Sequence, residues 1–223
     1  MTNLLPFVDV ETAEKPDKLV IWLHGLGDSG HGFAPIVPAF NLPDECHVRF
    51  VFPHAPIRPI TINNGMKMPG WYDIASMDIV SRADEKGVRE SALQIEALIE
   101  AELAKGFKAE NMVIAGFSQG GVMAYHIGTR LKYKIAGILA LSTYLAVPEK
   151  LAQEVNDINK QTPLLAAHGT ADDVVPFAAG KMAADSLSQL GFNVEWQEYP
   201  MQHNLCPQQI TYIGQWLNKV FNA

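Results

Sequence analysis

Ser118 sits at the centre of Gly116-Phe117-Ser118-Gln119-Gly120, between two differently patterned stretches. Before it runs Met112-Val113-Ile114-Ala115, apolar and β-like. After it come Val122, Met123, His126, Ile127 and Arg130 at helical spacing. A serine between glycines, after a strand and before a helix, has the form of a nucleophile elbow. The glycines leave room for a tight turn that a Cβ would obstruct, so the serine can hold a strained conformation with its Oγ exposed. The helix N-terminus adds unpaired N–H groups and partial positive charge where an oxyanion would form. Chance alone yields the pattern in roughly one chain in fifteen of this length, so the flanking strand and helix carry the argument.

An activated serine needs a base, and seven histidines are available. In the order that accompanies this elbow, an acid and then a histidine follow the serine. His24, His31, His47 and His54 precede it. His126 falls inside the helix that follows Ser118. His168 ends the apolar run Pro163-Leu164-Leu165-Ala166-Ala167, with no strand-loop left before it for the acid. His203 remains. It follows the β-patterned stretch from Phe192 to Tyr199 and precedes the amphipathic Ile210, Ile213, Trp216, Leu217 and Val220, which puts it in the loop after the last strand.

The acid belongs in the preceding strand-loop, Gly169-Thr170-Ala171-Asp172-Asp173. One of the two carboxylates would accept the imidazole N–H and hold its tautomer. The other could cap the helix announced by Pro176 or face solvent. Spacing does not separate Asp172 from Asp173. For the oxyanion, the N–H of Gln119 supplies one donor and an early strand-loop the other. Lys18 to His24 is that strand, ending in His24-Gly25-Leu26-Gly27-Asp28, and Leu26 offers the second N–H.

These segments resemble the carboxylesterase/acyl-protein thioesterase family, the phospholipase/carboxylesterase group of α/β-hydrolases. The likeness is carried by residues 24–32, Phe52-Pro53-His54-Ala55-Pro56, Gly70-Trp71-Tyr72-Asp73-Ile74, and Gly116 to Gly121. Further on come His168-Gly169 with Asp172, Val175-Pro176, and Met201-Gln202-His203. It spans nearly the whole chain in family order. It implies Ser118, Asp172 and His203 as a triad, with Leu26 and Gln119 as oxyanion donors, and selects Asp172 over Asp173. Pro200 stands where several relatives carry a glycine.

The elements that must position these residues alternate between strand and helix patterns from Leu19 onward, which argues for an α/β chain with a mostly parallel sheet. Helical spacing runs from Glu90 to Ala104 and from Ala178 to Leu190. With the resemblance, the expected architecture is an α/β-hydrolase fold with helices on both faces of the sheet. A chain of 223 residues, 48% hydrophobic and 18% charged, can bury one substantial core, and no linker divides it, so residues 1–223 are expected to form one domain.

The segment from His54 to Val80 stands apart. Pro56, Pro59, Gly65, Pro69 and Gly70 rule out one long regular element, yet large apolar residues crowd it. Such a segment reads as a lid or binding wall, with Met66, Met68, Trp71 and Ile74 as the substrate-binding candidates; flexible thioethers suit varied acyl shapes.

Several classes are excluded or disfavoured. A net charge of −7 opposes non-specific binding to nucleic acid or anionic membrane. No apolar run is long enough to span a bilayer, and the N-terminus lacks the basic start of a secretory signal. Cys46 and Cys206 are too few for a disulfide framework, and Cys206 lacks an elbow of its own. No spacing suggests structural zinc, a P-loop or a dinucleotide site. The expectation is a cytoplasmic serine hydrolase without metal or cofactor, monomer or homodimer. It would cleave carboxylic esters of short to medium acyl chains through an acyl-enzyme. The rivals are acyl-protein thioesterase or lysophospholipase activity with the same triad, and a catalytically idle hydrolase-fold binding module. The expected partner is a small-molecule ester or acyl-thioester, or an acylated protein.

Overall fold

The computed structural model describes residues 4–76 and 83–223. Its chain order begins with β1 (Phe7–Glu11), β2 (Lys18–Leu23), the short helix α1 (Gly30–Phe33) and β3 (Val48–Pro53), followed by a hairpin of β4 (Ile57–Ile60) and β5 (Met66–Pro69). Then come α2 (Glu85–Ala104), β6 (Met112–Phe117), α3 (Gln119–Gly128), β7 (Gly137–Leu141), α4 (Pro148–Glu154), β8 (Leu164–Gly169), α5 (Phe177–Gln189), β9 (Val194–Tyr199) and α6 (Pro207–Phe221).

Seven strands form the central sheet in the order β1-β3-β2-β6-β7-β8-β9. Only β1 is antiparallel, pairing Phe7 with Pro53 through Glu11 with Arg49; the other neighbours are parallel. This is the α/β-hydrolase architecture expected from the sequence. Strand residues alternate between two apolar layers, as the period of two requires. Leu19, Ile21 and Leu23 pack with Val88, Ile95 and Ile99 of α2 and with Ala183 and Leu187 of α5. Val20 and Trp22 pack on the opposite face with Ile213, Trp216 and Leu217 of α6 and with Phe33 and Phe40. Both faces are therefore covered, which is why the strands read as continuous apolar runs.

From β2 the chain moves outward to β3, then returns and crosses to β6 on the other side. The sheet's order reverses between β2 and β6, and the crevice beyond the carboxyl ends of strands at such a point is where ligands bind in open α/β sheets. Leu23 ends β2 opposite Gly116 of β6, so the loops carrying Leu26 and Ser118 emerge side by side.

Two elements differ from their sequence pattern. Helix α2 starts at Glu85, five residues before the apolar periodicity shows it. Its first turn is held by charge: Glu85 accepts from Arg89 at 2.9 Å and from Lys150 at 2.7 Å. The segment after His54 is not devoid of regular structure, because β4 and β5 pair antiparallel from Ile57–Pro69 to Ile60–Met66. The final part of the lid-like segment, including Met77, Ile79 and Val80, lies outside the described residues.

Candidate active site

Ser118 follows β6 and is the N-cap of α3, with φ 54° and ψ −117°. Positive φ is uncommon for a residue with a Cβ and persists only where the surroundings over-determine it. Here they do. The Ser118 N–H donates to Leu141 O at 2.8 Å, and its carbonyl accepts from Thr143 Oγ1 at 2.7 Å and Val122 N–H at 3.2 Å. The flanking glycines are steric requirements: a Cβ on Gly116 would collide with the Gly120 carbonyl, and one on Gly120 with the Leu23 carbonyl. The turn is thus pressed against β2, and the Ser118 hydroxyl, which makes no capping bond, projects beyond the sheet.

His203 occupies the loop between β9 and α6, its ring 4.8 Å from that of Phe117. Its Nε2 lies 2.9 Å from Ser118 Oγ and its Nδ1 2.7 Å from Asp172 Oδ2. A carboxylate only accepts, so Nδ1 carries the proton and Nε2 presents a lone pair to the serine hydroxyl. Asp172 is buried. Its Oδ1 accepts the N–H groups of Val174 at 2.9 Å and Val175 at 2.8 Å, leaving Oδ2 for His203. Burial alone would raise its pKa. Hydrogen bonds from His168, His203 and the Val175 N–H outweigh that and hold the carboxyl well below the usual range. Asp173, the alternative that spacing left open, is exposed, and it is Asp172 that His203 Nδ1 meets.

The side expected to receive the oxyanion is organised by buried polar bonds. Gln119 is the first residue of α3, so its N–H has no partner within the helix. Leu26 and Ser118 line the same cavities, while the next N–H, that of Gly27, is committed to Pro69 O at 2.8 Å. The loop itself is held by His24, whose Nδ1 lies 2.7 Å from Gly25 O and whose Nε2 accepts the Ala55 N–H at 3.1 Å.

The four apolar candidates separate. Ile74 lines the cavity beside Ser118. Trp71 does not: its indole is fully buried and donates from Nε1 to His24 O at 2.9 Å, so it supports the oxyanion loop from beneath. Met66 is 64% exposed on the hairpin, away from the cavities that Ser118 lines. Met68 is half-buried, packed near Gly27 and accepting from Asn63 Nδ2 at 3.5 Å. Composition marked the segment as apolar, but the facing of each side chain depended on partners distant in sequence.

Ser118 stands between two hollows. One, of about 230 Å³, is walled by Leu26, Ile62, Tyr72, Ile74, Tyr144 and Val174. The other, of about 420 Å³, is walled by Leu26, Asp28, Phe33, Phe117, His203 and Leu205. Sequence reasoning missed Thr143, Val174, Tyr72 and Tyr144. It set His168 aside as a base, and the structure places its Nε2 2.9 Å from Val175 O and 3.4 Å from Asp172 Oδ2, bracing the acid loop. Only Tyr72 lay in a segment already singled out. Among the described residues no cluster of three His, Cys, Asp or Glu side chains is placed to hold a metal ion.

This arrangement can deprotonate a serine and protonate a leaving group. Comparisons with known proteins point the same way. A family model described as Phospholipase/Carboxylesterase matches residues 6–221. Acyl-protein thioesterase 1 of Neurospora crassa is 43% identical over 225 residues, covering 97% of this chain and 90% of that protein. Acyl-protein thioesterase 1 of Yarrowia lipolytica is 37% identical, covering 96% of each. The crystal structure of Arabidopsis thaliana SOBER1 superposes with a TM-score of 0.86 at 32% identity, covering 91% of this chain and 98% of that one.

Proposed function

The chain belongs to the phospholipase/carboxylesterase family, and from that premise we propose that it hydrolyses carboxylic esters and thioesters through an acyl-enzyme on Ser118. The observation that carries this reading is the unbroken hydrogen-bond chain from Ser118 Oγ through His203 to Asp172. Ser118 attacks the acyl carbonyl while His203 Nε2 takes its proton. The developing oxyanion is held by the Leu26 and Gln119 N–H groups. His203 then protonates the departing oxygen or sulfur, and water repeats the sequence to release the acid. Asp172 keeps the imidazole oriented and offsets its positive charge.

His203 lines the larger hollow and not the smaller one. The leaving group must lie against the atom that protonates it, so the larger hollow takes the alcohol or thiol. The smaller, with Ile62, Ile74 and Val174, takes the acyl chain. Ile74 is then the substrate-binding member of the four apolar candidates, and residues 54–76 serve as a wall over the acyl side of a one-domain enzyme.

A second reading, acyl-protein thioesterase activity, is favoured by the names of the relatives above. Among the described residues no helix is long and apolar enough to cross a membrane.

A fluorophosphonate probe should label wild type and not Ser118→Ala. Matched pairs of esters and thioesters of one acyl chain then rank the two activities. An unlabelled wild-type chain would favour the idle-module reading instead.

A further inference from the structure

A second apolar cavity, of about 160 Å³, shares Tyr144 with the acyl hollow and is walled by Tyr144, Leu145, Pro148, Ala179, Ala183 and the half-exposed Met182. It touches neither Ser118 nor His203. Ser186, which also borders it, turns its hydroxyl back onto Met182 O of its own helix at 2.7 Å, so the cavity presents little unpaired polarity. Tyr144 is the residue common to this cavity and the acyl hollow.

Tyr144 is 2% exposed, and its hydroxyl is tied to that of Tyr72, across the acyl hollow, at 2.9 Å. The ring is therefore pinned between two apolar spaces. Resting on the assignment of the acyl chain to the Ile74 hollow, the geometry points to Tyr144 as the partition that sets the acyl length this enzyme accepts. A methylene takes up about as much room as a liquid water, about 30 Å³, so the 230 Å³ hollow holds about seven to eight such groups and the adjoining cavity about five more. A wild-type chain stops at the tyrosine pair. With Tyr144 reduced to a small side chain, the two spaces join, and the terminal methylenes of a longer acyl group gain an apolar lining between α4 and α5.

The test is a series of p-nitrophenyl esters from acetyl to palmitoyl, assayed as kcat/KM on purified full-length protein. Wild type should level off near octanoyl. In Tyr144→Ala the ratio of dodecanoyl to octanoyl efficiency should rise at least about tenfold, since each newly buried methylene is worth up to about fourfold. Adding Ala183→Leu, which enlarges a buried wall of the far cavity, should bring that ratio back toward wild type. If Tyr144→Ala folds poorly, Tyr144→Leu keeps the site apolar and partly filled and should give a smaller rise of the same sign. Ile74→Trp separates the two levels of the argument: it should shorten the wild-type profile by narrowing the acyl hollow itself. If Ile74→Trp shortens the profile while neither Tyr144 variant lengthens it, the partition is wrong and the acyl assignment stands. If Ile74→Trp leaves the profile unchanged, both are overturned.

Discussion

The Gln119 side chain holds the segment that carries Trp71: its Oε1 accepts the Trp71 N–H at 2.7 Å, and its Nε2 donates to Tyr72 O at 2.7 Å. On the proposed mechanism one residue would offer its backbone N–H to the oxyanion, while its amide anchors a wall of the hollow beside Ser118. Both side-chain bonds are buried. Gln119→Leu would strand the Trp71 N–H, at a cost of about 1–3 kcal/mol for a buried group without a partner, and would remove the bond to the Tyr72 carbonyl. Denaturant unfolding should show a loss on the order of 2 kcal/mol or more. Turnover should fall further on long acyl esters than on acetyl, because the displaced wall matters only to the longer chains. Wild-type stability with an unaltered chain-length profile would contradict the anchoring role.

Ser118→Ala and His203→Ala should each lower turnover by on the order of 10⁴ or more, with the double variant little worse than either, since the side chains act as one unit. Ester hydrolysis by the three purified proteins checks this. Multiplicative losses would mean that His203 acts independently of Ser118.

Asp172→Asn should fold, because an amide oxygen can still accept the Val174 and Val175 N–H groups that now hold Oδ1. It should nevertheless lose most activity, as the amide does not enforce the imidazole tautomer that frees Nε2. Asp173→Asn, at an exposed position, should be nearly silent. Parallel assays of the two variants with thermal melts decide it, and equal losses would remove the distinction between the carboxylates.

His126 gives a pH prediction. Burial first, and then the nearby Arg130 and Arg89, push its pKa down to about 3, against the smaller opposing effect of Glu154 and Glu85. The unfolded chain gains a proton there near pH 6.5 that the folded chain refuses, so stability falls as pH drops from about 6.5 toward about 3, by up to about 1.4 kcal/mol per unit. Asp172 acts with the same sign only in the more acid carboxylate range. His24 and His54, also lowered by burial, share the upper window. His126→Leu should therefore flatten, without abolishing, the slope of unfolding free energy between about pH 6.5 and about pH 5. An unchanged slope would mean that His126 is solvated in the native state.

Much of the site was legible in the amino-acid order because its signals are local. Gly116 and Gly120 mark a turn that tolerates no Cβ, and the apolar run before them and the helical spacing after them orient it. Chain order then left His203 as the candidate base, and the structure brings its Nε2 to 2.9 Å from Ser118 Oγ. The choice between Asp172 and Asp173 was of another kind. Adjacent residues share spacing and chemistry, and only the fold turns one carboxylate toward His203 Nδ1 and the Val174–Val175 amides while leaving its neighbour in water.

Which apolar side chains border the hollow beside Ser118 was decided by tertiary structure alone. Trp71, Met66, Met68 and Ile74 are equally apolar in a segment whose prolines and glycines impose no period, so nothing local says which side chain faces the serine. Gln119, 48 residues away from Trp71, settles it by capturing the Trp71 N–H, while the Trp71 indole donates to the His24 carbonyl. Tyr144 carries no motif and follows β7 within an ordinary apolar run. Its place between two cavities arises because β7 ends beside β6, bringing Leu141 opposite Phe117, and because Tyr72 meets it across the hollow. Backbone turns and strand patterns are set by nearest neighbours along the chain, whereas the facing of a side chain is set by whatever the fold packs against it.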